Sequence, residues 1–508
     1  DCGHEFCDTE YPWDLPAYVA AVQSPEDIAA SLSFASEHDI QVTVKTTGHS
    51  YTGSSTAKNS LLIWMQHYPK DGNIVQNWQD SCGTTTHDAV IGINGGETWN
   101  DVIEAVGEDY HVVTGGGRTV SAAGGWLQGG GLSFSSREYG IGVDNVLEFD
   151  VVLANGTMVK ADACTNPDLF FALRGGGGGT YGVVTHVYYK LHPATTFWQY
   201  SFFLGGAEYA LANGLEDPVL EFIYKWLDFW TKISPTLDSR WSGFFTSTGA
   251  ELLFFGPQED ALETLVIAWD TWYYTELTNV TSEFIENVFG VLPPSFYGSE
   301  RSSWYEYKGG AAAYNNPDAT DPTGRSYRTT AEITSRLIPR EIVMEKQGDV
   351  RDFLFGYALR GYFGIVNYFL GGKINDVPLN ATAVHPAMRR AVFNIISGGE
   401  VSGEVLRDAF PNEVTGVCYN HHYAKEPDWR EACFGDNYEK LEAIKAKYDP
   451  EKRFQCWHCV GYEGEEDPEL DDPVPTPTCP TRTPAEVEPS LWQTIVRAIC
   501  GLFSAECD

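Results

Sequence analysis

Residues 115–131 read Gly-Gly-Gly-Arg-Thr-Val-Ser-Ala-Ala-Gly-Gly-Trp-Leu-Gln-Gly-Gly-Gly. Glycine loses more conformational freedom on folding than any other residue, so such a run must serve a purpose. A flexible linker would not carry Val120, Trp126 and Leu127 among its glycines. Main chain pressed against a flat polar ligand, with N–H groups aimed at a pyrophosphate, accounts for both features. Two further segments share the character. Residues 40–44 alternate like a strand, and Lys45-Thr46-Thr47-Gly48-His49-Ser50-Tyr51-Thr52-Gly53-Ser54-Ser55 follows as a tight loop of small residues. Asn166-Pro167-Asp168-Leu169-Phe170-Phe171-Ala172-Leu173-Arg174 leads into Gly175-Gly176-Gly177-Gly178-Gly179 and then Thr180-Tyr181-Gly182-Val183-Val184-Thr185. That order reads as a short helix, a glycine loop and a buried strand.

With 508 residues the chain has room for two or three domains. Lys and Arg number 33 against 70 Asp and Glu, a net charge of -37. Such a surface repels nucleic acid and anionic membranes, so neither is expected as a partner. No apolar run is long enough to span a bilayer. The chain starts at Asp1, carries 11 cysteines crowded toward its two ends, and holds sequons at Asn155, Asn279 and Asn380. Together these features predict a processed, extracellular protein with disulfides and glycans. Asn155-Gly156 also reads as a hairpin turn, where a glycan fits poorly. Cys456-Trp457-His458-Cys459 lacks the second pair that a zinc site needs and any thioredoxin-like context, so it is expected as a disulfide, and no metal is expected. An odd cysteine total leaves one thiol unpaired or bonded to another chain.

Short strands and glycine turns over residues 40–192, with a helix at 99–106, predict an α+β fold. A helix begins at Ser24-Pro25-Glu26-Asp27, an N-cap with Pro and acids behind it, and turns Ile28, Leu32, Phe34 and Ala35 to one side. Residues 221–232 predict an amphipathic aromatic helix whose rings pack in a core. Strands are expected at 243–255 and 360–370, and helices at 386–396 and 437–448, the last stopped by Asp449-Pro450. Residues 463–480 read as an acidic, Pro-rich linker and 490–503 as a helix pinned by disulfides.

The residues around His49 resemble the flavin-attachment loop of the berberine bridge enzyme-like FAD oxidases, within the p-cresol methylhydroxylase (PCMH)/vanillyl-alcohol oxidase superfamily. That loop reads roughly Arg-Ser-Gly-Gly-His-Ser-Tyr-x-Gly; Lys45 and Thr47 are the departures here. Segment 168–185 is similar to the family's Asp-Leu-Phe-x-Ala-x-Arg-Gly-Gly-Gly-Gly-x-Phe-Gly-Val-Val-Thr nearly position for position. Segments 382–389 and 434–454 resemble its substrate-domain and closing segments. The matches span about residues 15–460.

The resemblance implies a PCMH-type FAD-binding domain of two subdomains over 1–193. It implies a substrate-binding domain over 194–425, an antiparallel sheet covered by helices. A segment over 426–465 would return to the first domain, and 466–508 would be a tail. It implies FAD bonded covalently through His49. The loop residues Lys45, Thr46, Thr47, Gly48, Ser50, Gly53 and Ser54 would line it. So would Gly117, Arg118, Thr119, Ser121, Gly124, Gly125, Gly129, Gly130, Tyr139, Asp144 and Asn145, then Gly182, Val183, Val184 and Asn420. Many relatives add a cysteinyl bond; Arg118 stands at that position, so attachment through His49 only is expected. Ser121 falls where the family controls oxygen access.

A family Tyr-x-Asn-Tyr segment supplies the catalytic base. Here it reads Cys418-Tyr419-Asn420-His421-His422-Tyr423, with Cys418 and His421 where tyrosines are usual. Tyr419, His421 and Tyr423 are the candidate bases, Tyr423 ranking last. The activity implied is oxidation of an alcohol, a carbohydrate first among them, with O2 as acceptor and a monomeric enzyme. A dehydrogenase, a secondary-metabolite oxidase and a flavin-binding protein without turnover are the other readings.

Overall fold

The glycine segments are strung between sheets. In the computed structural model, which describes residues 15–203, 216–276, 298–309, 333–359, 366–398, 400–412 and 415–463, three short strands form a parallel sheet in the order Tyr18–Ala21, Leu61–Trp64, Val42–Lys45. Helix Pro25–Glu37 covers it. Ser24 Oγ accepts the Asp27 N–H at 3.2 Å while the Asp27 carboxylate accepts the Ser24 N–H at 3.1 Å, a reciprocal cap. Ile28, Leu32 and Ala35 are buried, but Phe34 lies on the outer side against Tyr18 and His38.

A second sheet is antiparallel, in the order Ile74–Gln79, Thr86–Asn94, Val183–Lys190, Val146–Val152, Met158–Asp162. The Asn155-Gly156 turn joins its last two strands, with Gly156 at φ +78°. Its strands, with helices Trp99–Val106 and Pro167–Leu173, enclose the largest core. The predicted strand-helix alternation of this half is present.

The third sheet is also antiparallel: Gly298–Arg301, Phe197–Phe203, Gly249–Phe254, Trp241–Phe245, Val366–Phe369, Ala391–Gly398, Ile333–Pro339. The strand expected at 243–255 is a hairpin of two. Helices Glu216–Ile233, Ile267–Glu276 and Gln347–Leu359 cover one face, and Phe222, Trp226, Phe229, Trp230 and Trp269 interlock beneath them. At roughly 1.5–3 kcal/mol for each large side chain fully buried, those rings are core. The helix expected at 386–396 is not one. Pro386–Arg389 makes a single tight turn, and Ala391–Gly398 is a strand buried on both faces. Its mostly apolar sequence, broken by Asn394, looks helical by composition, but β-branched residues and pairing on both sides decide it.

Residues up to Tyr462 form one compact unit; of the second, from Glu463 on, only Glu463 is described, so the expected linker and terminal helix lie outside the described residues. Helix Tyr438–Tyr448 packs on helix Pro167–Leu173, with Lys447 and Tyr448 on the Asp168 carboxylate at 2.6 and 2.8 Å. Beyond it, Val42 donates to Arg453 O at 2.8 Å and accepts from the Gln455 N–H at 3.1 Å, so residues 453–455 extend the first sheet. The Cys82–Cys164 and Cys456–Cys459 disulfides are formed, and Cys418 and Cys433 are buried free thiols. The remaining cysteines lie outside the described residues.

Candidate active site

Strand Val42–Lys45 delivers the His49 loop, and Gly48 and Gly53, at φ +79° and +81°, let it turn back on itself. Inside the loop Ser50 Oγ accepts the Ser54 N–H at 3.1 Å and lies 2.8 Å from Ser54 Oγ. Thr46 Oγ1 donates to Gly95 O at 3.3 Å, and Lys45 Nζ sits 5.0 Å over the Trp64 ring. The His49 imidazole is held at both ends. Thr47 Oγ1 is 2.8 Å from Nδ1, and Thr119 Oγ1, from the second glycine segment, is 3.2 Å from Nε2. Desolvation lowers the pKa of His49, which keeps the ring neutral near pH 7.

The glycines do two jobs. Some let segments touch: a Cβ on Gly178 would stand 2.8 Å from Gly125 Cα, one on Gly177 2.8 Å from Tyr419 OH, and one on Gly124 2.7 Å from Ser121 Oγ. Others leave room. A Cβ on Gly116 or Gly125 would meet nothing within 4 Å, and both residues are exposed. The hydroxyl of Ser121 is buried without a hydrogen-bond partner, as are Gln128 Oε1 and Thr180 Oγ1. Open backbone beside orphaned polar atoms fits a planar, polar cofactor laid along these turns. Gly130 lies against Val384, while Gly182, Val183 and Val184 belong to the strand junction, where Gly182 packs on Val151 and Val152.

Four of the expected cofactor contacts are spent on protein instead. Arg118 donates to Asn100 Oδ1, to Lys308 O at 2.6 Å and to Glu104 at 3.2 Å. Asp144 forms a bidentate pair with buried Arg389, both distances 2.7 Å. Asn145 bonds the Tyr139 and Ile141 carbonyls and His192, and Tyr139 stacks on His111 with ring centroids 4.3 Å apart. Arg118 and Asp144 thereby tie the flavin half to residues 308 and 389 of the second half, while Asn145 and Tyr139 bond within their own half. Motif position carries no information about which way a side chain turns.

The segment after Val417 closes over the turns. Asn420 donates to Trp126 O at 2.8 Å, and its Oδ1 fills the place a Cβ on Gly129 would take. Tyr419 lies against Gly177 with its hydroxyl 3.8 Å from Cys459 Sγ, and burial raises its pKa, so it stays protonated. His421 faces the Tyr51 ring at 6.1 Å. Its Nδ1 is buried without a partner, and burial, with His422 alongside, takes its pKa down to about 4. His422 is 2.6 Å from Tyr419 O through Nδ1 and 3.0 Å from His458 Nδ1 through Nε2. Tyr423 turns away, buried against Gly403 and Arg407 of helix Glu400–Ala409. Tyr419, Asn420 and His421 are thus brought to the glycine turns, and Tyr423 is not. Tyr51 belongs to the His49 loop, whereas nothing in the order of residues pointed to Tyr368 or Lys308, which come from distant segments. A separate cavity of about 570 Å³, lined by Ile342, Phe353 and Phe410 among others, shares no residue with these turns.

The FAD binding domain family matches residues 16–162, and the berberine and berberine-like family matches residues 418–460, so the attachment loop and the Tyr419 segment each fall within a flavoenzyme family. The chain thus carries an FAD binding domain, which points to FAD as its cofactor, and along most of its length it is similar to FAD-linked oxidoreductases and VAO-type flavoproteins. It is 28% identical to a VAO-type flavoprotein oxidase of Thermothelomyces thermophilus over 495 residues, 90% of this chain and 79% of that one. It superposes on a VAO-type flavoprotein from Myceliophthora thermophila C1 with TM-score 0.70 and 25% identity, over 89% of this chain and 81% of that one. Glucooligosaccharide oxidase from Acremonium strictum, with 6-S-cysteinyl, 8α-N1-histidyl FAD, shares the fold at TM-score 0.65 and 20% identity, over 88% and 92% of the two chains.

Proposed function

We propose that this protein is a secreted oxidase that takes a hydride from the CH–OH group of a small alcohol, with sugars the first class to test, and passes the electrons to O2 as H2O2. FAD, when bound, supplies the hydride acceptor and the site of O2 reduction. His49 holds it covalently and alone: its neutral ring keeps a lone pair for bonding to carbon, and Arg118, which cannot form a thioether, stands where a cysteine would be needed. The two disulfides support an oxidising compartment.

The observation that carries the catalytic reading is the His421 imidazole, half-buried across from Tyr51 and kept neutral by its surroundings. A base must be unprotonated at the working pH and within reach of the substrate hydroxyl. Tyr419 meets neither need well, being protonated and turned to Gly177 and Cys459. His421 is neutral, without a partner on Nδ1, and beside the loop that Asn420 pins to Gly129. It accepts the hydroxyl proton as the hydride leaves. Tyr51, exposed opposite it, closes the other side of the opening.

Anaerobic mixing of purified protein with alcohols and sugars tests this. Bleaching of the visible flavin bands, followed by stoichiometric H2O2 on admitting air, is expected. Bleaching with a quinone but not O2 reoxidising the protein identifies a dehydrogenase, and no bleaching with any alcohol overturns the reading.

A further inference from the structure

Among the described residues, the wall of this cleft holds a lysine in no ion pair. Lys308 follows the short helix Trp304–Tyr307. Its Nζ donates to Gly115 O and Gly116 O, both at 3.3 Å, in the same glycine segment that runs on to Ser121. Three rings surround it: Trp304 at 5.1 Å, Tyr307 at 5.7 Å and Phe134 at 5.8 Å. Among the described residues no carboxylate is in ion-pair contact with it; the one whose charge reaches it is Glu251, which accepts from the Tyr307 hydroxyl at 2.8 Å. An ammonium has three N–H donors, and two are taken.

The lysine connects to the catalytic residues through aromatic contacts. Phe134 stacks on Tyr368 with centroids 5.3 Å apart, Tyr51 lies near enough to add to the upward shift of the Tyr368 pKa, and Tyr51 faces His421. Lys308, Tyr307, Tyr368 and His421 are each only half-buried by area. Burial nevertheless governs how all four ionise. The four therefore share a partly buried, partly exposed setting. Burial, and Arg118 beside it, bring the Lys308 pKa down to about 8, so it is still mostly charged at pH 7.

We infer that Lys308 is a specificity residue: it takes the carboxylate of an acidic substrate, a sugar acid or aromatic hydroxy acid, whose body lies between Phe134 and Tyr307 and whose hydroxyl reaches His421. This rests on the oxidase reading above. A desolvated ammonium gains more from an anion than from a neutral oxygen, because a charge-assisted hydrogen bond is roughly twice as strong as a neutral one. A purely structural strut between residues 298–309 and the glycine turn would need only the two carbonyls.

Calorimetric titration of the oxidised holoenzyme with benzoate and with benzamide, neither of which it can oxidise, reads the anion preference without turnover. Benzoate is expected to bind at least about tenfold more tightly, a difference of about 1.4 kcal/mol. Lys308→Met should erase the preference while leaving benzamide binding in place, and Lys308→Arg should keep it. Equal binding of the two probes, no binding of either, or a preference that survives in Lys308→Met overturns the inference. Anaerobic bleaching by glucuronate against glucose then separates the two claims. Bleaching by both at equal rates leaves the oxidase standing and removes the lysine's role, while benzoate selectivity without bleaching by any alcohol does the reverse.

Discussion

The two sides of the cleft are built on different principles. On one side, backbone forms the surface: residues 46–55, 115–131 and 175–182 turn on glycines, and several of those glycines have no room for a methyl group. On the other side, side chains form it: Phe134, Lys308, Tyr368, Tyr419 and His421, brought from four separate stretches of chain. Backbone can hold one fixed ligand shape and little else. Side chains can be exchanged without moving the frame. Such a division lets one cradle serve many substrates.

Variants at the two sides should therefore fail differently. His49→Ala has the largest expected effect. Acid-precipitated wild type stays yellow, and the variant releases all its flavin to the supernatant; wild type that releases free FAD ends the claim of a covalent link. His421→Ala keeps the colour but lowers kcat by about 10²- to 10⁴-fold, the usual contribution of a positioned base. Its pH profile gives a second check. The His421 pKa is depressed to about 4, so the base is neutral and competent above that value and is lost as pH falls through it. The acid limb of kcat/KM should lie near pH 4, and a limb near the ordinary histidine value would assign the proton elsewhere.

Asp144→Asn addresses the boundary between the two sides. Breaking its buried pair with Arg389 should cost about 3–5 kcal/mol in denaturant unfolding, and the flavin should stay attached. Flavin loss without destabilisation would return Asp144 to the cradle. Tyr423→Phe should change least of all, with kcat near that of wild type, since its ring packs against helix Glu400–Ala409 and not the cleft. A loss as large as that of His421→Ala would make Tyr423 the base.

The backbone side was legible in the order of residues, because glycine runs, capping residues and strand alternation act over a few positions. Ser24 with Asp27 and the Asn155-Gly156 turn both form as their local chemistry requires. Where local signals conflicted they misled. Residues 391–398 are mostly apolar, and a neighbour on each side makes them a strand. Arg118, Asp144 and Asn145 occupy flavin-motif positions, yet their polar atoms turn to Glu104, Arg389 and His192.

What the order of residues decided by itself was the cradle: three glycine turns with a histidine in the first, because a missing side chain has the same consequence wherever the chain folds. Which histidine faces Tyr51 in neutral form, and which lysine meets the cleft outside any ion pair among the described residues, came only from the packing of distant segments. Burial sets the charge on an imidazole or an ammonium, and burial is a property of the neighbours that folding brings, not of the residue itself.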